Sequence, residues 1–360
     1  MYKTIQEGKA KLYIPKEEKI SKKLAVFYNP IMKHNRDISV LILDSLEKKK
    51  NIQIADILAG SGVRGIRFFL ELNKNKIKEI SINDINKESF RIIKKNLKLN
   101  KINKRKIRIS NEEANKFLLN SNGFDYIDID PFGSPNPFLD CSIKRLARDG
   151  ILAVTATDTG CLCGSFPKAC IRKYWAVPLR NEIMHEFGLR ILIRKIQLIA
   201  AQYEKALIPV FSYSKEHYFR IFLKYEKGKD EVNKVLKQHE LYDNFGPIWT
   251  GRLWDKNLAD NVFRNLLKNR ILSKDKHLSN FLNKIKDESR IDAIGFYDIH
   301  KICKKYAIKQ ILKKDIIKNK IKEMGYKASN THFNDEAIRS NIKINELVKI
   351  LKCQKFSTSF

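Results

Sequence analysis

The chain has 360 residues, 43% of them apolar, enough for a substantial core and long enough to predict two domains. Lys and Arg total 71 against 40 for Asp and Glu, a formal net charge of +31, and a surface with that excess attracts polyanions and points to nucleic acid. No apolar leader opens the sequence, no stretch reaches about 20 uncharged apolar residues, and the six Cys form no C-x-x-C pair, so the expectation is a cytoplasmic, membrane-free protein with reduced thiols, no disulfide framework and no metal.

Residues 1–30 read as a strand-rich lead-in ending at the turn Tyr28-Asn29-Pro30, and 38–47 (ISVLILDSLE) as a helix. An alternation follows. Strands are predicted at Ile52–Leu58, Ile77–Asn83, Ile107–Ser110, Phe124–Asp130 and Ile151–Ala156, the last after the turn Asp149-Gly150. Helices are predicted between them at Val63–Leu72, Lys87–Leu99 (Phe90, Ile93 and Leu97 on one face), Asn115–Asn120 and Pro137–Ala147. Strand-helix units in this order predict an α/β fold, a mostly parallel sheet covered on both faces. Apolar runs from Arg190 continue to about 226, and the charged stretch Lys227–His239 reads as a helix at a boundary. Beyond it come Lys-rich amphipathic helices at Ile299–Tyr306, Asp315–Met324 and Ile344–Leu351. The division expected is residues 1–227 against a smaller, α-rich α+β domain over 228–360.

Two motifs carry chemistry. The first is Asp56-Ile-Leu-Ala-Gly60-Ser-Gly62-Val-Arg64-Gly65. Glycines at a strand end let the backbone approach a ligand closely. Asp84 closes the next strand, where an acid accepts hydrogen bonds from ribose hydroxyls; Asn86 is available to cap the following helix, which frees Asp84 for a ligand. Spelled G-x-G-x-x-G, the loop also fits a dinucleotide-binding fingerprint. It implies a nucleotide-like cofactor without choosing among them.

The second motif chooses. Tyr126-Ile-Asp128-Ile-Asp130-Pro131-Phe132-Gly133 puts an acid, a proline and an aromatic residue just past the fourth strand, at the carboxyl edge where ligands of such sheets bind. The lone pair of an aryl amine is delocalised into its ring, so methylating it is hard. A carboxylate and a backbone carbonyl accepting its two N–H bonds favour a pyramidal nitrogen whose lone pair faces a methyl donor. Pro131 presents such a carbonyl and fixes the turn, and Phe132 can stack on the base. An ordinary turn accounts for the same four residues taken alone; beside the glycine loop it accounts for less. Asp128 and Asp130 share a face, and only Asp130 leads the turn.

Three further segments carry competing readings. Phe27, in Val26-Phe27-Tyr28-Asn29-Pro30, can face Phe132 to sandwich a flipped base, although spacing alone favours plain core. Arg36, in Asn35-Arg36-Asp37, can hold a cofactor carboxylate or sit in a solvated charge cluster. Glu113 and Ala114 follow the third strand, where an acid can meet an adenine amine or start a helix. Cys161, Cys163 and Cys170 read as small packing residues, with Lys168, Arg172 and Lys173 nearby as phosphate contacts.

With these motifs stand EGKAKLYIP, FYNPIMKHNRD, DILAGSGVRGIR, DIDPFGSPNPFLD, LAVTATDTGCLCGSFPKACIRKY, GPIWTGRLW and GYKASNTHF, in order over nearly the whole chain. The sequence resembles the tRNA guanine-26 N2-dimethyltransferase family. The resemblance implies a class I S-adenosylmethionine-dependent methyltransferase fold, tRNA as substrate, and two successive methylations of a guanine N2 amine, with no obligate protein partner. It implies cofactor contacts at Arg36, Arg64, Asp84, Glu113 and the Ala114 backbone beside the Gly60 and Gly62 loop, and chemistry at Asp130, Pro131, Phe132 and Phe27. The rivals are another RNA amine methyltransferase (rRNA guanine N2 or adenine N6) and a dinucleotide-dependent oxidoreductase. Glu113 stands where the family usually has Asp. The Cys-based zinc element of many archaeal relatives has no counterpart in Lys224–Phe245, which contains no Cys, so packing is expected to hold that region; Lys327 and the Lys-rich helices after 299 are consistent with tRNA contact.

Overall fold

The computed structural model describes residues 2–16, 24, 26–46 and 51–352; Glu47, the end of the first expected helix, and Cys353 lie outside them. An antiparallel hairpin, β1 (Tyr2–Glu7) and β2 (Ala10–Pro15), opens the chain. Helix α1 (Lys33–Ser45) starts earlier than the apolar run suggests. A 3-10 turn at Pro30–Met32, capped by the Asn29 side chain, leads straight into it.

The alternation then appears as expected: β3 (Ile52–Asp56), α2 (Val63–Glu71), β4 (Ile77–Asn83), α3 (Lys87–Leu99), β5 (Ile107–Ser110), α4 (Ala114–Leu119), β6 (Phe124–Ile129) and α5 (Asn136–Arg145). In α3, Ile92, Ile93 and Leu97 are buried while Phe90 is only half-buried. The next strand, β7 (Leu146–Ala156), is longer than its apolar run. The expected turn at Asp149-Gly150 is absorbed as a register shift: Phe124 pairs with Leu146, but Tyr126 pairs with Ile151, and Asp149 takes φ +58°.

Helices α6 (Thr159–Leu162), α7 (Pro167–Tyr174) and α8 (Met184–Ala201) follow, then β8 (Lys205–Lys215) and β9 (Tyr218–Lys227). The main sheet has seven strands in the order β5-β4-β3-β6-β7-β9-β8. It is parallel from β5 to β7, whereas β9 is antiparallel to both neighbours. The turn between β8 and β9 is short enough to join only antiparallel strands. The central strands β3 and β6 are buried along nearly their whole length, as two-sided helix cover requires.

The remaining elements are α9 (Lys229–Leu236), β10 (His239–Tyr242), β11 (Phe245–Trp249), α10 (Lys256–Lys268), α11 (Lys276–Glu288), β12 (Tyr297–Asp298), α12 (Ile299–Lys305), α13 (Lys314–Glu323), β13 (Ala328–Asn330), β14 (Ala337–Ser340) and α14 (Ile344–Lys352). The boundary expected at 227/228 falls inside one continuous core. Helix α10 packs on α1, and Val232, Val235, Ile248, Val262, Leu266, Leu278 and Ile285 join the same buried cluster as the sheet. A separate cluster begins only at Ile299 and runs through Ile317, Ile338, Leu347 and Leu351. Composition changes at 227 because the chain turns from strands to Lys-rich helices. The packing does not change there.

Candidate active site

The carboxyl ends of β3, β4 and β6 meet at one edge of the sheet, side by side in the parallel register Asp56↔Ile82 and Asp56↔Asp128. Past β3 the loop turns through Gly60 (φ +54°) and Gly62 (φ +76°), conformations that side chains rarely adopt. A Cβ on Gly60 would stand 2.7 Å from the Phe27 carbonyl oxygen. Past β4, the Asp84 carboxylate accepts from the Gly60 N–H at 2.7 Å and from the Asn86 N–H at 2.9 Å. Burial raises its pKa, and these backbone donors offset only part of that. Asn86 caps α3, accepting from the Glu88 and Ser89 N–H groups. Asp84 is therefore positioned at the loop rather than spent on the helix.

Past β6, Asp130 accepts a hydrogen bond from Arg64 Nη2 and stays partly accessible. Arg64, on the first turn of α2, is buried; its Nη1 donates to Asn35 Oδ1 at 3.0 Å and to Ser39 Oγ at 2.9 Å. Asp128, the competing acid, is fully buried. Arg220 on β9 grips both its oxygens, at 3.0 and 2.6 Å, and the Tyr126 hydroxyl donates to it at 2.6 Å. Burial opposes its charge, yet the Arg220 and Arg64 guanidiniums hold its carboxyl below the usual range. Of the two acids, only Asp130 is presented to solvent. Arg64, assigned by likeness to the cofactor, is here the partner of Asp130.

Phe132 is 42% exposed, and its ring meets Phe27 edge-on, with centroids 4.4 Å apart and planes at 76°. The two aromatics are brought together, in contact rather than as an open parallel pair. Gly133 takes φ +81°, and Thr157 clamps it: the Gly133 N–H donates to Thr157 Oγ1 at 2.6 Å, and the Thr157 N–H donates to the Gly133 carbonyl at 2.9 Å. Next to this clamp the Tyr174 hydroxyl donates to Asp158 Oδ1 at 2.6 Å and lies 2.9 Å from Ser134 Oγ. Sequence reading singled out neither Thr157, Asp158, Tyr174 nor Arg220. The segment Thr155–Asp158 leaves the carboxyl end of β7, so the rule that found Asp130 applies to it equally.

Arg36 is not an open cation. It grips Glu7 through two hydrogen bonds, Nε to Oε1 at 2.7 Å and Nη2 to Oε2 at 2.5 Å, and donates to the Asn29 carbonyl at 3.0 Å. Burial works against the Glu7 charge, but Arg36, Arg67 and the Tyr28 hydroxyl bring its carboxyl down to about 2. Glu113 caps α4, accepting from the Lys116 N–H at 2.9 Å, and Ala114 is buried as the first residue of that helix. Cys161, Cys163 and Cys170 are buried free thiols, and burial pushes the latter two up to about 12. A group of His34, Asp37 and Asp275 has the spacing of metal ligands, but Lys33 and Arg67 already neutralise Asp37 and Asp275 caps α11. Among the described residues no helix is long and apolar enough to cross a membrane.

Comparison with known proteins agrees with this geometry. A relative from Aquifex aeolicus, a tRNA (guanine(26)-N(2)/guanine(27)-N(2))-dimethyltransferase, is 38% identical over 96% of this chain and 94% of its own. A tRNA (guanine(26)-N(2))-dimethyltransferase from Methanocaldococcus jannaschii is 38% identical over 98% of this chain and 99% of its own. The structure of Trm1 from Pyrococcus horikoshii with S-adenosyl-L-methionine superposes with a TM-score of 0.87 at 34% identity, covering 96% of this chain and 99% of that one. The fold is that of a class I methyltransferase carrying a C-terminal extension. The family profile for N2,N2-dimethylguanosine tRNA methyltransferase matches residues 8–244 and 239–352. The chain belongs to that family.

Proposed function

We propose that the protein methylates the exocyclic N2 amine of a guanine in tRNA, at position 26, once and then a second time, with S-adenosylmethionine as donor. The observation that carries this is Asp130: an accessible carboxylate, oriented by a buried guanidinium, at the sheet edge beside a glycine loop. The loop suits such a cofactor, because a Cβ at Gly60 would crowd the Phe27 carbonyl and Asp84 stands at the end of β4 as a ribose-facing acceptor. Gly60, Gly62, Asp84 and the Ala114 backbone would hold it, and once bound it supplies an electrophilic methyl group. Arg36 and Arg64 are committed to Glu7 and Asp130, so their part is to fix the walls of the site.

Asp130 and the Pro131 carbonyl accept the two amine N–H bonds and turn the nitrogen lone pair out of the ring plane. Phe132 and Phe27 part to hold the base by stacking. The nitrogen–carbon bond would form as the donor's sulfur–methyl bond breaks and its neutral thioether leaves, and the amine would shed a proton to Asp130 or, through it, to solvent. Holding the amine in one orientation in a dry site supplies most of the acceleration. A cytoplasmic setting belongs to the same reading, since Cys161, Cys163, Cys170 and Cys303 are free and buried.

The decisive test supplies methyl-labelled donor and unmodified tRNA transcripts, then maps the product by mass and position. N2-methylguanosine and N2,N2-dimethylguanosine at position 26 are expected; N6-methyladenosine, or no label, would sink the reading. Asp130→Ala should lower turnover by several orders of magnitude while calorimetric affinity for S-adenosylmethionine stays within about threefold of wild type. Wild-type-like turnover in that variant would remove Asp130 from the chemistry.

A further inference from the structure

Helix α7 has two unlike faces. Cys170 and Tyr174 point inward and are buried. Lys168, Ile171, Arg172 and Trp175 recur at the spacing of one helical face, and all four are exposed. Phe166, at the N-cap, is the most exposed large apolar residue described, at 66%, and Trp175, at the C-cap, is 53% exposed. Ile171 and Trp175 on a solvent face beside two cations, and Phe166 exposed at the N-terminal end of the same helix, are not explained by the core. Among the described residues Lys168 and Arg172 have no carboxylate partner, whereas Lys173 is spent on Asp158 at 3.4 Å.

Both rings are braced. Phe166 lies over Gly160, where an added Cβ would stand 3.3 Å from its ring. The Lys195 ammonium sits over the Trp175 indole, and Arg194 donates to the Trp175 carbonyl at 3.1 Å, so the ring is backed by charge on one side. The helix is also tied to the catalytic turn. Tyr174 reaches Ser134 and Asp158, and Asn136 Nδ2 donates to the Lys173 carbonyl at 2.8 Å. The helix is thus anchored to the segment that follows Asp130.

We propose that the exposed side of α7, together with Phe166 at its N-terminal end, is a docking surface for an RNA strand whose bases have come out of their stack: Phe166 and Trp175 take the faces of nucleotides flanking the target, and Lys168 and Arg172 take the phosphates between them. The proposal rests on the tRNA reading above and deepens it. Aromatic platforms interleaved with cations are the chemistry that recognises unstacked nucleotides, because every base offers a π-face and every linkage a negative charge. Phe166 and Trp175 cap the two ends of an eight-residue helix, a rise of about 13 Å between the two positions, so one base does not span them. Extracting a guanine leaves its neighbours without a stacking partner, and these rings replace what they lose.

The test measures binding of an unmodified tRNA transcript by fluorescence anisotropy over a salt series, with steady-state methylation alongside. Phe166→Ala and Trp175→Ala should each weaken binding roughly tenfold and raise KM for tRNA while leaving its salt slope and the affinity for S-adenosylmethionine unchanged. Trp175→Phe should recover most of the loss. Lys168→Ala with Arg172→Ala should instead lower the salt slope by about 2. Aromatic variants that fold, bind the donor and hold tRNA as wild type does would overturn the proposal. So would sedimentation showing that Trp175→Ala splits a dimer, since the face would then belong to a second copy. A wild-type protein that neither binds nor methylates the transcript overturns both this and the reading beneath it.

Discussion

Asp128 and Asp130 stand two positions apart on and just past β6, and the groups packed around them assign them different work. Arg220 closes around Asp128 from another strand, while Arg64 holds Asp130 by one side and leaves it accessible. A third acid, Asp56, ends β3 beneath them and is fully buried. Burial first, and the neighbouring carboxylates after it, push its carboxyl up to about 7 against the pull of Arg64. Between the unfolded value of 3.8 and that figure, the folded protein keeps a proton the unfolded chain has released. Its contribution therefore favours folding in acid and fades as pH rises through 7. Asp56→Asn keeps an acceptor for the Gly65 N–H, which donates to Asp56 Oδ2 at 3.2 Å. Thermal melts between pH 4 and 7 should show a flatter pH dependence in this variant, with its stability relative to wild type improving as pH rises; an unchanged profile would place the titration elsewhere.

At the scale of elements, the glycine loop has little room to change. Gly60→Ala adds a Cβ at positive φ and 2.7 Å from a backbone oxygen that has no side-chain freedom to retreat. Calorimetry should find S-adenosylmethionine affinity reduced at least tenfold, and retention of wild-type affinity would show that the loop yields. The loop, Asp84 and Asp130 were legible because each follows an apolar run at a strand end, a local pattern. The strands Ile77–Asn83 and Ile107–Ser110 carry the same signal and match residue for residue. What escaped was set by contacts distant in sequence. Arg220 meets Asp128 across 92 positions, and Glu7 meets Arg36 from a hairpin that periodicity alone cannot dock. Glu113 shows the limit from the other side, since a local cap and a ligand contact call for the same acid at the same place.

Over the whole molecule, one strand joins the two hydrophobic clusters. In β14, Ala337 belongs to the first and Ile338 to the second. Arg339 beside them is fully buried; its Nε donates to Glu288 Oε1 at 2.9 Å, and its Nη2 pairs with Glu186 on α8. Arg190 and His332 complete the network, at 2.9 Å from Glu186 and 2.5 Å from Glu288. Arg339→Met takes the shared guanidinium from two buried carboxylates and should destabilise the protein by about 3–5 kcal/mol, read as an early melting transition. A melt within a degree of wild type would show that the network is not needed. The same lock has a geometric consequence. A hinge between the clusters would have to unpair charges that water cannot reach, so the distance from the C-terminal helices to the Asp130 turn is set once, at folding. On the tRNA reading proposed above, the protein would then work as a fixed-jaw gauge on its substrate. Whatever part of an RNA rests against the far jaw, the nucleotide presented for methylation is the one a constant span away, and selection by position needs no reading of the bases in between.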